Sequence, residues 1–142
     1  MSANQQKLLE IAQSLIGIPY KYAAKPEDIP KFLDCSSFTQ YVYKQIGIDM
    51  PRSTLLQAAH AGKEMPLNEN LEIGDLLFFR GPKGHYDDKL FPGRQIYIGH
   101  VAMYIDNNKI IHAASSKGVI EEDIEQLLQK LGPAVIAKRI LN

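Results

Sequence analysis

The sequence predicts an α+β domain, with helices in its first half and mostly antiparallel strands in its second. Apolar residues recur at helical spacing up to about residue 61, whereas from residue 75 onward they recur with the alternation and β-branched content of strands. Size agrees with this reading. A chain of 142 residues lies in the range of one domain, 1–142, and its 45% apolar and 23% charged residues are the composition of a soluble globular protein with a real core.

The first helix rests on Leu8, Leu9, Ala12, Leu15 and Ile16 and is stopped by Gly17 and Pro19, which places it at about residues 4–16. A turn-rich segment from Lys25 to Lys31 follows. Cys35, Phe38, Tyr41, Val42 and Ile46 keep a second helical period, with Asp34 in front as a cap and Gly47 behind as a stop. Pro51-Arg52-Ser53 opens a short third helix reaching about Ala61. Strands are then expected at Asp75–Arg80, Tyr97–Ile105, Lys109–Ser115, Gly118–Glu121 and Ala134–Leu141, with a helix on Ile124, Leu127, Leu128 and Leu131 before the last. The loop from Gly81 to Gln95 carries Gly, Pro and charge, so it is expected on the surface.

Composition excludes several function classes. Sixteen basic residues balance sixteen acidic ones, which leaves no electrostatic footprint for nucleic acid or an anionic membrane surface. No window approaches the length of a membrane span. Met1 to Gln6 lack the blocks of a signal peptide, so the sequence assigns no location. A lone cysteine rules out an internal disulfide and a multi-thiolate metal site. The histidines at 60, 85, 100 and 112 show no His-Glu-x-x-His or other clustered ligand spacing, so neither metal nor cofactor is expected.

Cys35 can be a buried filler, a free thiol or a nucleophile. At the first turn of its helix, unpaired N–H groups and the helix dipole favour a thiolate, so a lowered pKa is expected. Its place on the stripe of Phe38 and Val42 turns the sulfur toward the sheet. His100 and His112 lie in consecutive strands joined around Asp106-Asn107-Asn108. A three-residue loop would pair Ile105 with Lys109 and put both imidazoles on one face, leaving Val101, Met103, Ile105, Ile111 and Ala113 for the core on the other. A two-residue turn would put them on opposite faces; Asn108, which tolerates the left-handed conformation, favours the first register. Strand histidines are often structural, but two on one face with one free cysteine form a constellation suited to nucleophilic catalysis. Cys35 would be the nucleophile, His100 its general base and His112 the group that orients the base.

Gly17-Ile18-Pro19-Tyr20, Asp34-Cys35-Ser36, Pro51-Arg52-Ser53, Gly74-Asp75-Leu76-Leu77-Phe78-Phe79, Gly99-His100-Val101 and Ile111-His112-Ala113 resemble, in order and spacing over nearly the whole chain, the NlpC family of papain-like cell-wall cysteine peptidases. The resemblance implies a papain-like fold with N-terminal helices on a mostly antiparallel sheet. It implies hydrolysis of peptidoglycan stem peptides, typically at the γ-D-glutamyl to diamino acid bond, by Cys35, His100 and His112. Another acyl substrate, as in a related amidase or acyltransferase, or a non-catalytic binding module are the alternatives. It also implies a tyrosine beside the nucleophile, Tyr20, and places Asp34 and Ser53 at the substrate's free amine. Such a chain would be cytoplasmic or would reach the wall by another route. Ser37 replaces the family's glycine two residues after the nucleophile, and Ala23 and Ala24 replace its paired glycines after the tyrosine. Together with the long loops at 20–35 and 81–95, these departures bear on the shape of the cleft rather than on the fold.

Overall fold

The computed structural model describes residues 1–141. Three helices come first: α1 (Ala3–Ser14), α2 (Cys35–Lys44) and α3 (Thr54–His60). The strands β1 (Lys63–Met65), β2 (Leu76–Phe79), β3 (His100–Asp106), β4 (Lys109–Ala114) and β5 (Gly118–Asp123) follow, then α4 (Ile124–Leu131) and β6 (Ala134–Arg139). They form one sheet in the order β1-β6-β2-β3-β4-β5, with each neighbouring pair antiparallel. The α+β expectation holds, with element ends displaced by a few residues. Only β1 is new, because Lys63-Glu64-Met65 is exposed or half-buried and too short to show an alternation.

Both faces of the sheet are covered. Leu76, Phe78, Val101, Met103, Ile111 and Ile136 pack against Leu8 and Ala12 of α1 and Phe38 and Val42 of α2. Leu77, Phe79, Ala102, Tyr104 and Ile110 face the other way, toward Leu127 of α4. Central β2 is therefore apolar at every position, Leu-Leu-Phe-Phe, as a strand buried on both sides must be. Each large side chain so buried contributes about 1.5–3 kcal/mol relative to exposure.

Two local devices fix what lies near the cysteine. Asp34 and Ser37 form a capping box: the Asp34 carboxylate accepts from the Ser37 N–H at 2.8 Å, and Ser37 Oγ accepts from the Asp34 N–H at 2.8 Å. The serine in the family's glycine position thus starts α2 at Cys35. Farther along α2, Tyr43 donates its hydroxyl to the carbonyl of Gly74. A Cβ at Gly74 would lie 2.7 Å from that hydroxyl oxygen, which is why glycine precedes Asp75.

The β3–β4 hairpin corrects one expectation and preserves its consequence. It closes through a two-residue turn, Asn107-Asn108, both at positive φ, with Asp106 opposite Lys109. A bulge between Tyr104 and Asp106 absorbs the extra residue, so Tyr104 pairs with Ile110 and Met103 with Ile111. That is the register the three-residue loop would have given. His100 and His112 consequently share the face turned toward α4, at the open end beyond the last paired residues of the hairpin.

Candidate active site

Cys35, His100, His112, Tyr20, Asp34 and Ser53 all line one cleft. Cys35 is only 8% exposed, and its sulfur lies 3.4 Å from Thr54 Oγ1. The backbone N–H groups of Val101 and Ser36 lie near enough to favour the sulfur's ionised form. The nucleophile candidate is thus held against the residue that follows His100. Tyr20 reaches the same place through a parallel bridge to Leu33, in which the Leu33 N–H donates to Pro19 and the Lys21 N–H donates to Leu33. Burial, with Cys35 and Asp34 close by, pushes its phenol up to about 12, so Tyr20 is a neutral donor across the physiological range.

The thiol does not follow the low-pKa expectation. Burial pushes Cys35 above its ordinary value, and the charge of Asp34 adds to the rise, while the bonds from Thr54, Val101 and Ser36 oppose it. Desolvation outweighs the helix start. In the resting site cysteine is therefore a neutral thiol.

The two imidazoles meet edge to face, with ring centroids 4.9 Å apart and planes at 89°. His100 Nε2 and His112 Nδ1 are 2.7 Å apart, which leaves His100 Nδ1 as the ring's other nitrogen. Burial holds His100 well below the ordinary imidazole value, His112 lowers it further, and Glu122 pulls in the opposite direction. His112 is also lowered by burial against the pull of Glu122. Both rings are neutral near pH 7. Backbone geometry delivers His100 here: a Cβ at Gly99 would lie 2.3 Å from the carbonyl oxygen of Arg80, so only glycine lets the chain pass that close before β3.

Asp34 is engaged on every side. One carboxylate oxygen takes the Ser37 N–H at 2.8 Å and Ser36 Oγ at 3.4 Å; the other takes the Ala24 N–H at 3.1 Å and Arg52 at 2.7 Å. Burial alone would raise its pKa, but the bonds from Arg52 and Ser37 hold it below the usual carboxylate range. Ser53 caps α3, accepting the Leu56 N–H at 3.1 Å.

A model of the NlpC/P60 family matches residues 17–131. The chain belongs to the NlpC/P60 family. Over 105 residues, 73% of this chain and 46% of the relative, it is 36% identical to a protein of Escherichia coli named murein DD-endopeptidase MepS/murein LD-carboxypeptidase. A γ-D-glutamyl-L-lysine dipeptidyl-peptidase of Bacillus cereus is 31% identical over 80% of this chain and 30% of its own length. The chain thus spans less than half the length of these relatives. Among solved structures, an NlpC/P60 family protein of Bacillus cereus superposes with a TM-score of 0.76 at 27% identity, covering 97% of this chain and 40% of that one.

Five of the six motifs contribute residues to this cleft, whereas Gly74–Phe79 supplies the buried central strand, and residues outside the predicted set stand in or behind it as well. Arg52 and Thr54 flank the chosen Ser53 and make the contacts to Asp34 and to the thiol. Glu122 bonds His112 from behind. Among the described residues, no group of three or more His, Cys, Asp and Glu side chains is arranged to hold a metal ion.

Proposed function

We propose that this NlpC/P60 chain hydrolyses amide bonds in peptidoglycan stem peptides with Cys35 as nucleophile, His100 as general base and His112 as the residue that orients the base. The observation carrying this reading is the 2.7 Å contact of His100 Nε2 with His112 Nδ1 in the cleft that also holds Cys35. It leaves His100 Nδ1 to take a proton from the thiol side.

Since thiol and imidazole are both neutral at rest, the proton moves as the sulfur attacks. The S–H bond breaks, an N–H bond forms at His100 Nδ1, and the sulfur bonds the carbonyl carbon. The oxyanion that develops lies at the start of α2, where the N–H of Cys35 has no carbonyl one turn back to take it. Collapse returns the proton from Nδ1 to the leaving amine and leaves a thioester on Cys35. Water, deprotonated by the same nitrogen, then releases the acid and the thiol.

The bond is the γ-D-glutamyl to diamino acid linkage. The name of the Bacillus cereus relative supports this choice, while the name of the Escherichia coli relative supports peptidoglycan as the polymer. Tyr20, Asp34 and Ser53 line the same cleft as Cys35 and are the residues assigned here to the substrate's amino-terminal end. Because Asp34 already accepts four bonds, it attracts an ammonium through its charge and through Tyr20 rather than by an open lone pair.

Digestion of purified peptidoglycan fragments, with products identified by mass, tests this reading. Free L-Ala-γ-D-Glu from tri- and tetrapeptide stems is expected, with less cleavage once the L-Ala amine is acetylated. Stems left intact while ordinary α-linked peptides or other acyl amides are cut would replace the substrate assignment. No cleavage of any amide would favour a binding module.

A further inference from the structure

Glu122 lies in the run Glu121-Glu122-Asp123 on edge strand β5, yet only its middle member is turned inward, 8% exposed. β4 and β5 pair Ile110 with Glu122 and His112 with Ile120, so Glu122 is the diagonal neighbour of His112 on the same face. Its Oε2 lies 3.0 Å from His112 Nε2. Lys130, reaching over from α4, donates to both oxygens at 3.1 and 3.3 Å. These two are the titratable groups that bond this carboxylate. Burial would raise its pKa, but the bonds from His112 and Lys130 hold it below its ordinary value, so it is ionised near neutral pH.

An ionised carboxylate only accepts hydrogen bonds, and that fact propagates along the line. His112 must carry its proton on Nε2, because a bare Nε2 would set two lone pairs against each other at 3.0 Å. Neutral His112 then has a bare Nδ1, which His100 can meet at 2.7 Å only by donating from Nε2. His100 Nδ1 is left unprotonated. His112 alone could not impose this order, since a neutral imidazole between two partners satisfies either direction equally.

We propose that Glu122, pinned by Lys130, is a positioning residue that sets the direction of the His112–His100 hydrogen-bond line and so keeps His100 Nδ1 bare as the base for Cys35. The inference rests on the Cys35, His100 and His112 reading above. As the thiol proton arrives at Nδ1, no other proton needs to move: Nε2–H of His100 and Nε2–H of His112 keep their partners, and the imidazolium is stabilised by the negative charge at the end of the line.

Nitrogen-15 NMR of the histidine rings in the whole chain reads the tautomers without any substrate. The wild type is expected to show His100 and His112 both protonated on Nε2 alone near neutral pH. In Glu122→Gln the carboxamide can donate as well as accept, so mixed or reversed tautomers are expected. Turnover of the stem peptide should fall roughly 10- to 100-fold in kcat, with KM within about 3-fold. Glu122→Asp, which keeps the charge, should recover part of kcat. Should Glu122→Gln keep both rings protonated on Nε2, or keep wild-type kcat, the proposal is overturned. If Cys35→Ala leaves turnover unchanged, the nucleophile reading fails instead, and the tautomer measurement still decides the role of Glu122. Should Glu122→Gln lower the melting temperature without altering tautomers or kcat, its role is structural and the proposal falls.

Discussion

Asp34 and Glu122 are both buried carboxylates, each with a basic partner; Asp34 precedes Cys35 at the start of α2, whereas Glu122 bonds His112, the ring that meets His100. Asp34 belongs to the scaffold around Cys35, the proposed nucleophile: it caps α2, holds the Ala24 segment and pairs with Arg52. Glu122 stands behind the histidine pair of the proposed base, with its bonds going to His112 and Lys130. Their electrostatic effects on proton transfer oppose each other. The charge of Asp34 raises the thiol and so resists its ionisation, whereas that of Glu122 raises His100 and so favours the imidazolium. A carboxylate that builds a site can work against the chemistry there, and a second one on the other partner can offset it.

Loss of the proposed base should have the strongest consequence. His100→Ala should lower turnover by roughly 10³-fold or more while the denaturation midpoint stays close to that of the wild type, because among the described residues the ring hydrogen-bonds only the histidine beside it. Arg52→Met tests the scaffold side. It leaves a buried carboxylate short of its cation and should cost about 2–3 kcal/mol of stability, read by denaturant unfolding, since Arg52 is partly exposed and water replaces some of what it gives. Asp34→Asn with Arg52→Met should recover part of that loss.

pH sharpens the difference. His100 and His112 are held neutral in the fold, so the unfolded chain binds more protons than the native one as pH falls below about 6.5. Stability should be fully present above that value and decline below it, and the lowered Asp34 and Glu122 carry the decline further into acid. Denaturant midpoints taken at about pH 7 and about pH 5 check this. Cys35 works in the other direction: its raised value stabilises the fold below the ordinary thiol range, an increment lost as pH climbs through it. Iodoacetamide should alkylate Cys35 slowly at neutral pH and faster only in alkali. Rapid alkylation in mild acid would restore the thiolate picture drawn from the helix start.

The smallest expected effect concerns the loop over Asp34. Ala23 sits at φ +53°, in the region where the family carries glycine, and Ala23→Gly should stabilise the chain by up to about 1 kcal/mol without changing kcat.

Much of this was legible in the sequence because scarce residue types carry strong constraints. One cysteine at a helix start and two histidines in adjacent strands could be assigned to faces from periodicity and an expected three-residue loop, and the face survived the shorter turn because a bulge restored the register. The bulge at Ile105 was invisible because Tyr104-Ile105-Asp106 alternates like any strand. Glu122 was hidden for a different reason: an acidic run on a strand reads as a solvated edge, whereas strand alternation turns its middle member to the face that α4 covers. The state of the thiol was illegible too. Cap position reports the dipole, whereas desolvation depends on how the packed chain buries the sulfur, which no local sequence pattern shows.

Hydroxylamine competition reports whether Cys35 carries the acyl group. With an L-Ala-γ-D-Glu-diamino acid tripeptide as substrate, a thioester on Cys35 should partition between water and hydroxylamine, so mass analysis should find the L-Ala-γ-D-glutamyl hydroxamate beside the free acid in the wild type, and neither product with Cys35→Ala. Free acid alone at high hydroxylamine, or cleavage that persists in Cys35→Ala, would contradict the claim that Cys35 carries the acyl group.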